Sequence, residues 1–227
     1  MAFLQARMGS QRLPGKVLMK IQGHSILEWA VRRLQASPMV NKTVVLTTTR
    51  KNDDAVVEEC QRLNVPCHRG PENNVLARFQ EASRVFQPEI IIRATADNPL
   101  IEIGSIERIV TALRVFELDC CWEGGLPVGA ATEAVTASAL ARSHGQAREA
   151  RYLEHVTLHI KEHSGEFAIS CLEPPQPLCR PDLRITVDNR EDFIFMEQFL
   201  GLFPDGDLTR PLQEYLAAAV NYFFKET

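Results

Sequence analysis

The chain lacks any run of about 18 uninterrupted apolar residues, and its first apolar segment is already broken at Arg7. Neither a signal peptide nor a membrane span is expected, and the reading places the protein in the cytoplasm. Six cysteines are present (Cys60, Cys67, Cys120, Cys121, Cys171 and Cys179), but none form a C-x-x-C pair or a framework spacing, so there is no basis for a zinc site or a disulfide scaffold. Reduced, mostly buried thiols are expected. No Ser/Gly/Pro-rich linker divides the 227 residues, and 45% apolar content suffices for one well-buried domain over 1–227. A net charge of −4 provides no general surface for nucleic acid or an anionic membrane. Two phosphate motifs are missing as well: there is no G-x-x-x-x-G-K-[ST] and no G-x-G-x-x-G, which argues against a P-loop kinase and a dinucleotide-dependent dehydrogenase.

What the chain does have is a long basic loop near its start. The apolar run Ala2 to Leu4 stops abruptly, and Arg7, Gly9, Ser10, Arg12, Pro14, Gly15 and Lys16 follow before hydrophobicity resumes at Val17. Such a pattern reads as a strand emptying into a loop in which glycine lets the backbone approach a ligand and proline stiffens the turn. Three fixed cations among exposed backbone N–H groups make a receptacle for phosphates. A nucleoside triphosphate carries about four negative charges near neutral pH, more than three basic side chains neutralise, so a divalent cation and carboxylates to hold it are expected elsewhere. On composition alone the loop reads equally well as a basic surface turn.

Downstream the pattern alternates. Helical spacing over Ser25 to Leu34, Asp53 to Leu63, Asn74 to Phe86 (with Leu76, Phe79 and Val85 inward) and Ile103 to Phe116 is interleaved with extended stretches. Those stretches are Thr43 to Thr47, Val65 to His68, Glu89 to Arg93 and Asp119 to Trp122. The triplet Ile90-Ile91-Ile92 is apolar on both faces, as a sheet-interior strand requires. Short strand-to-helix connections imply a mainly parallel sheet covered on both sides, with ligands at the carboxyl ends of its strands. Asp97 falls at such an end, on the same edge as the basic loop, although an Asp two residues before Pro99 also suits an Asx-turn. Glu149 to Glu162 reads as one helix with His155 and His159 four apart and His163 beyond. Without a carboxylate in register this is a polar face and not a metal pair. Phe167 to Leu172 and Arg184 to Val187 read as the last strands, the second leading into Asp188. Asp192 then serves as a charge at a helix N-terminus, and Leu208 to Phe224 forms a terminal amphipathic helix.

The segment Gln5-Ala6-Arg7-Met8-Gly9-Ser10 with Arg12-Leu13-Pro14-Gly15-Lys16-Val17-Leu18 resembles the signature loop of the sugar-nucleotide cytidylyltransferases, closest to their spore-coat polysaccharide SpsF branch. That branch is related to the acylneuraminate and 3-deoxy-manno-octulosonate cytidylyltransferases. Gln11 departs from the small hydroxyl residue usual there. The resemblance extends to Ala96-Asp97-Asn98-Pro99-Leu100, with Asn98 where Cys or Glu is common, and to Thr186-Val187-Asp188 with Asp192-Phe193. It is narrower at Arg151-Tyr152-Leu153-Glu154-His155-Val156-Thr157, where only His155 is carried over. At Pro127 to Glu133 the family's glycine and glutamate are kept, but two aspartates are replaced by Val128 and Ala131.

The resemblance implies a three-layer, mainly parallel α/β, Rossmann-like nucleotidyltransferase fold of the glycosyltransferase-A type. It implies CTP and an acidic sugar as substrates, Mg²⁺ held by Asp97 and Asp188, and a homodimer with its dimerisation and acceptor region at about 123–183. Arg12 and Lys16 join the two aspartates as catalytic groups. Ala6, Arg7, Met8, Gly9, Ser10, Arg78 and Arg93 join them in nucleotide binding, and Glu133 and His155 in acceptor binding. Two alternatives stay open: another base or a non-sugar acceptor, and a sugar-nucleotide-binding protein without catalysis.

Overall fold

The computed structural model describes residues 1–223, and the side chains of residues 1–218. Nine strands and nine helices alternate through the described residues. The strands are β1 (Ala2–Gln5), β2 (Lys20–Ile21), β3 (His24–Ser25), β4 (Thr43–Thr48), β5 (Cys67–Gly70), β6 (Ile90–Thr95), β7 (Cys120–Glu123), β8 (Glu133–Thr136) and β9 (Ile169–Leu172). The helices are α1 (Ile26–Ala36), α2 (Asp54–Leu63), α3 (Val75–Phe86), α4 (Ile103–Val115), α5 (Ala137–Gln146), α6 (Ala150–Glu154), α7 (Leu158–Glu162), α8 (Arg190–Gly201) and α9 (Leu212–Phe223).

Seven strands form one sheet in the order β5-β4-β1-β6-β8-β7-β9, and β2 with β3 makes a small antiparallel ribbon. β5, β4, β1 and β6 run parallel, each returning through a helix. β8 enters antiparallel between β6 and β7, because only the loop 124–132 joins it to β7 and no crossover helix intervenes. The sheet is therefore mainly parallel, with one strand reversed.

Local chemistry sets the helix ends. Ser25, Asn74 and Thr136 accept the N–H three residues on at the starts of α1, α3 and α5. Asn189 and Asp192 form a reciprocal capping box on α8, which gives Asp192 the helix-start role read from the sequence. Helices cover both faces: Leu27, Val56 and Ile109 pack on one, Leu76, Phe79 and Leu140 on the other. Phe3 meets Phe79 edge to face at 5.9 Å. A third cluster joins α8 and α9 to the β2–β3 ribbon. No helix among the described residues is long and apolar enough to cross a membrane.

Several expectations are corrected. Val85 is 64% exposed, because after Ala82 the i+4 step puts Phe86 on the inner face, where its ring meets Phe3. β5 begins at Cys67, two residues later than its apolar start suggested. The helix expected over 149–162 is two short ones. His155 is extended (φ −103°, ψ 90°), Val156 is fully buried, and the Thr157 hydroxyl donates to Glu133 at 2.6 Å, so tertiary packing breaks the helix where two β-branched residues adjoin. Residues 184–187 are not a sheet strand. Only a Val128–Arg184 bridge forms, and the segment is stitched instead to the glycine loop (Ile185 N–H to Val128 O, 2.9 Å) and to the Asp97 turn (Val187 N–H to Asp97 O, 2.9 Å). The terminal helix starts at Leu212, and Phe224 lies outside the described residues.

Candidate active site

The basic loop leaves the carboxyl end of β1, between β4 and β6. Ala6 N–H continues the pairing to Leu46 O at 3.0 Å, and the chain then departs from the sheet. The loop is closed on itself, with the N–H groups of Ser10 and Gly15 both donating to Met8 O at 3.0 Å. Gly15 sits at φ +74°, a left-handed conformation open to glycine at little cost, and it launches the single helical turn that carries Lys16. From outside, the loop is held by Asp53: Met8 N–H donates to its Oδ1 at 2.7 Å, while the Thr48 hydroxyl binds its other oxygen. Sequence reading took Asp53 only as the first residue of a helix, and its partner is too distant along the chain to be visible there.

Lys16 is nearly buried, with its side chain 9% exposed, and Nζ lies 2.9 Å from Asp97 Oδ2 and 2.9 Å from Asp188 Oδ1. Asp97 is brought there by β6, whose Ala96 N–H pairs with Gln5 O at 2.9 Å. Asp188 is brought by the 184–187 segment docked on the Asp97 turn. This docking depends on Gly129 (φ +101°): a Cβ there would lie 2.7 Å from Thr186 Cβ and 2.9 Å from Thr186 N. Arg12 adds a contact to Asp188 Oδ1 at 3.2 Å, and Arg184 binds Asp188 Oδ2 at 2.5 Å and Asp192 at 3.2 Å. Burial opposes the charge on Asp188, but hydrogen bonds from Lys16 and Arg184 and the nearby Arg12 outweigh it, so its carboxyl titrates below the usual aspartate range.

Lys16, Arg12, Asp97 and Asp188 line a cleft of about 700 Å³. Of the residues expected in the site, Ala6, Arg7, Gly9, Ser10, Arg12 and Lys16 line it from the loop, and Arg78, Asp97, His155 and Asp188 from elsewhere. Arg78 is 2% exposed, donates to Pro71 O at 2.7 Å, and leaves its Nε without a partner. Arg7 reaches across to Glu154 at 3.3 Å. Breaking of the helix is what turns His155 into the cleft, whereas His159 goes inward and stacks on His163 at 4.2 Å.

Three expected residues sit elsewhere. Met8 contributes backbone groups to the loop and does not line the cleft. Arg93 and Glu133 are register partners across β6 and β8, with Trp122 next in the row on β7. Glu133 is held there by Arg93 (3.5 Å), Lys161 and Thr157, so its carboxylate is already committed and does not line the cleft. Burial works against its ionisation, but the charges of Arg93 and Lys161 and the bonds from Lys161 and Thr157 keep it below the ordinary glutamate range. Sequence reading missed Arg184 and Asp192 as supports of Asp188, and Glu154 as the partner of Arg7.

Among the described residues no group of three His, Cys, Asp or Glu side chains is arranged to hold a metal. Asp97 Oδ2 and Asp188 Oδ1 nonetheless converge on one point, each 2.9 Å from the Lys16 ammonium. A Mg²⁺ ion that keeps waters and takes substrate phosphates needs only one or two protein carboxylates, so the pair fits it.

A cation-lined loop at the carboxyl end of β1, facing two convergent aspartates at the same edge of a mainly parallel sheet, is the arrangement of a Rossmann-like nucleotidyltransferase fold. The chain belongs to the cytidylyltransferase family, whose sequence profile matches residues 1–217. It is 34% identical over 195 residues to the spore coat polysaccharide biosynthesis protein SpsF of Bacillus subtilis, covering 84% of this chain and 81% of that one. Its fold is similar to a cytidylyltransferase from Leptospira borgpetersenii (TM-score 0.88, 26% identity, 97% of this chain and 93% of that one). A CMP:2-keto-3-deoxy-manno-octonic acid synthetase complexed with CTP shares the fold at TM-score 0.68 and 15% identity, over 88% of this chain and 98% of that one.

Proposed function

We propose that the protein transfers CMP from CTP to a hydroxyl of an acidic sugar and releases pyrophosphate. The observation that carries this reading is the meeting of Lys16, Asp97 and Asp188 at the mouth of the basic loop. The triphosphate lies along residues 6–16, where backbone N–H groups and the cations of Arg7, Arg12 and Lys16 receive its charge. The acceptor hydroxyl attacks the α-phosphorus. A P–O bond to the sugar forms as the bond to the bridging oxygen of the β-phosphate breaks, the hydroxyl proton passes to solvent, and Arg12 and Lys16 stabilise the charge that grows on the leaving pyrophosphate. Mg²⁺, when bound by Asp97 and Asp188, supplies further positive charge at the α-phosphate and lowers the pKa of the acceptor hydroxyl. No protein nucleophile is required. His155 lines the cleft at the helix break, which supports the reading that it hydrogen-bonds the acceptor.

Membership of the family and the likeness to SpsF and to a CTP-bound synthetase support the choice of nucleotide and acceptor class. The test is pyrophosphate release with each of the four nucleoside triphosphates against a panel of acidic sugars, with Mg²⁺ present and then chelated. Turnover confined to CTP, dependent on an acidic sugar and lost with EDTA, is the expected result. Equal rates with all four nucleotides would refute the base assignment, and release without any acceptor would refute the transfer.

A further inference from the structure

Asp188 and five other charged side chains form one cluster. Three are cationic (Lys16, Arg12 and Arg184) and three anionic (Asp97, Asp188 and Asp192), so the site is balanced before any ligand arrives. Lys16 is the most enclosed of the six, and its ammonium contacts one oxygen of each aspartate of the central pair at 2.9 Å. With Arg184 on the other oxygen of Asp188, an ion seated between the two aspartates competes with this ammonium for them. A lysine ammonium is a compact charge on a flexible stem, able to exchange one anionic partner for another.

A divalent cation arriving alone therefore meets a carboxylate pair that is already neutralised, with two guanidinium groups close by. A triphosphate arriving alone, with about four negative charges, is drawn by the loop but faces the three carboxylates. When both arrive, the phosphates offer the Lys16 ammonium a new anion, and the aspartate oxygens it leaves are free for the ion. We propose that Lys16 is an internal counter-cation that keeps the Asp97–Asp188 pair closed to divalent ions until a triphosphate draws the ammonium away. Nucleotide and metal then bind with positive coupling, each strengthening the other by the same factor. This deepens the nucleotidyl-transfer reading and rests on it for the identity of the incoming anion, but the blocked pair is a property of the nucleotide-free protein.

The test is Mn²⁺ binding to the full-length, nucleotide-free protein, followed through the electron paramagnetic resonance of the free ion. Wild type should bind weakly. Lys16→Met should bind at least about tenfold more tightly, and Lys16→Met combined with Asp97→Asn should lose that gain. Lys16→Gln serves as a second neutral variant, with circular dichroism confirming that each variant is folded. Tight Mn²⁺ binding by wild type, or no gain in either neutral variant, would overturn the proposal. The readout involves no turnover and no nucleotide. Its failure leaves pyrophosphate release from CTP untouched, whereas a missing CTP reaction beside a clear Mn²⁺ gain would fault the substrate assignment alone.

Discussion

The backbone N–H of Met8 donates to Oδ1 of Asp53 at 2.7 Å, and through this bond the residue that precedes α2 holds the basic loop that leaves β1. Asp53 is 3% exposed and also accepts from the backbone and hydroxyl of Thr48. Asp53→Ala strands these donors, at an expected cost of about 1–3 kcal/mol in urea unfolding. The loosened loop should also raise the KM for CTP while the order of preference among acceptors is kept. An unchanged KM would show that the loop is organised without this anchor.

Asp97→Asn keeps the shape of the side chain and removes its charge from the pair around Lys16. Pyrophosphate release should fall by at least a hundredfold, an order of loss that follows from removing a charge acting at the transferring phosphoryl group. Near-normal release in a coupled assay would remove Asp97 from the mechanism.

Gly129→Ala tests how Asp188 is delivered. The added Cβ meets Thr186 backbone and side chain, and φ +101° disfavours any L side chain. A loss of about 1–3 kcal/mol in stability is expected from the strained conformation alone. Because the displaced segment carries Asp188, turnover should fall even at temperatures where the variant stays folded. Full activity in the folded variant would mean that the 184–187 segment tolerates movement.

Glu133 provides a pH test away from the cleft. Its folded-state pKa is depressed by Arg93, Lys161 and Thr157, against the opposing effect of burial. A depressed carboxyl contributes stability that is present above its unfolded pKa, about 4.3, and is lost as the pH falls through the lower folded value. The stability difference between wild type and Glu133→Gln should therefore be level from pH 7 to about 5 and shrink below about pH 4.3. Its size near neutrality should be about 1–3 kcal/mol, because Arg93 and Lys161 are partly exposed and solvent screens the pair. A difference that grows on acidification would invert the assigned shift. The KM for CTP should barely change, since Glu133 does not line the cleft.

Much of this protein is written in short stretches of its sequence. The β1 loop was legible because cations, glycines and a proline fall within a few residues of an apolar run, where backbone conformation and local charge are decided locally. Asp97 was legible because an all-apolar triplet marks a sheet-interior strand and the residues after it must emerge at the ligand-bearing edge. The helix-start role of Asp192 at α8 was legible for the same local reason.

What only the tertiary structure decided depends on contacts between distant segments. Asp53 reads only as the start of a helix until Met8 is seen to donate to it, and Glu133 reads as an acceptor-binding residue until Arg93 and Lys161 close on it. The span 149–162 has helical spacing throughout, yet burial of Val156 and the Thr157–Glu133 bond outweigh that propensity and turn His155 into the cleft. Residues 184–187 have the β-branched pattern of a strand, but their hydrogen bonds go to Val128 and Asp97, and that docking is what sets Asp188 beside Lys16. Local sequence specifies which backbone states are cheap. Which of them is adopted, and which charges meet, depends on long-range packing, whose contributions of a few kcal/mol exceed local preferences of a few tenths per residue.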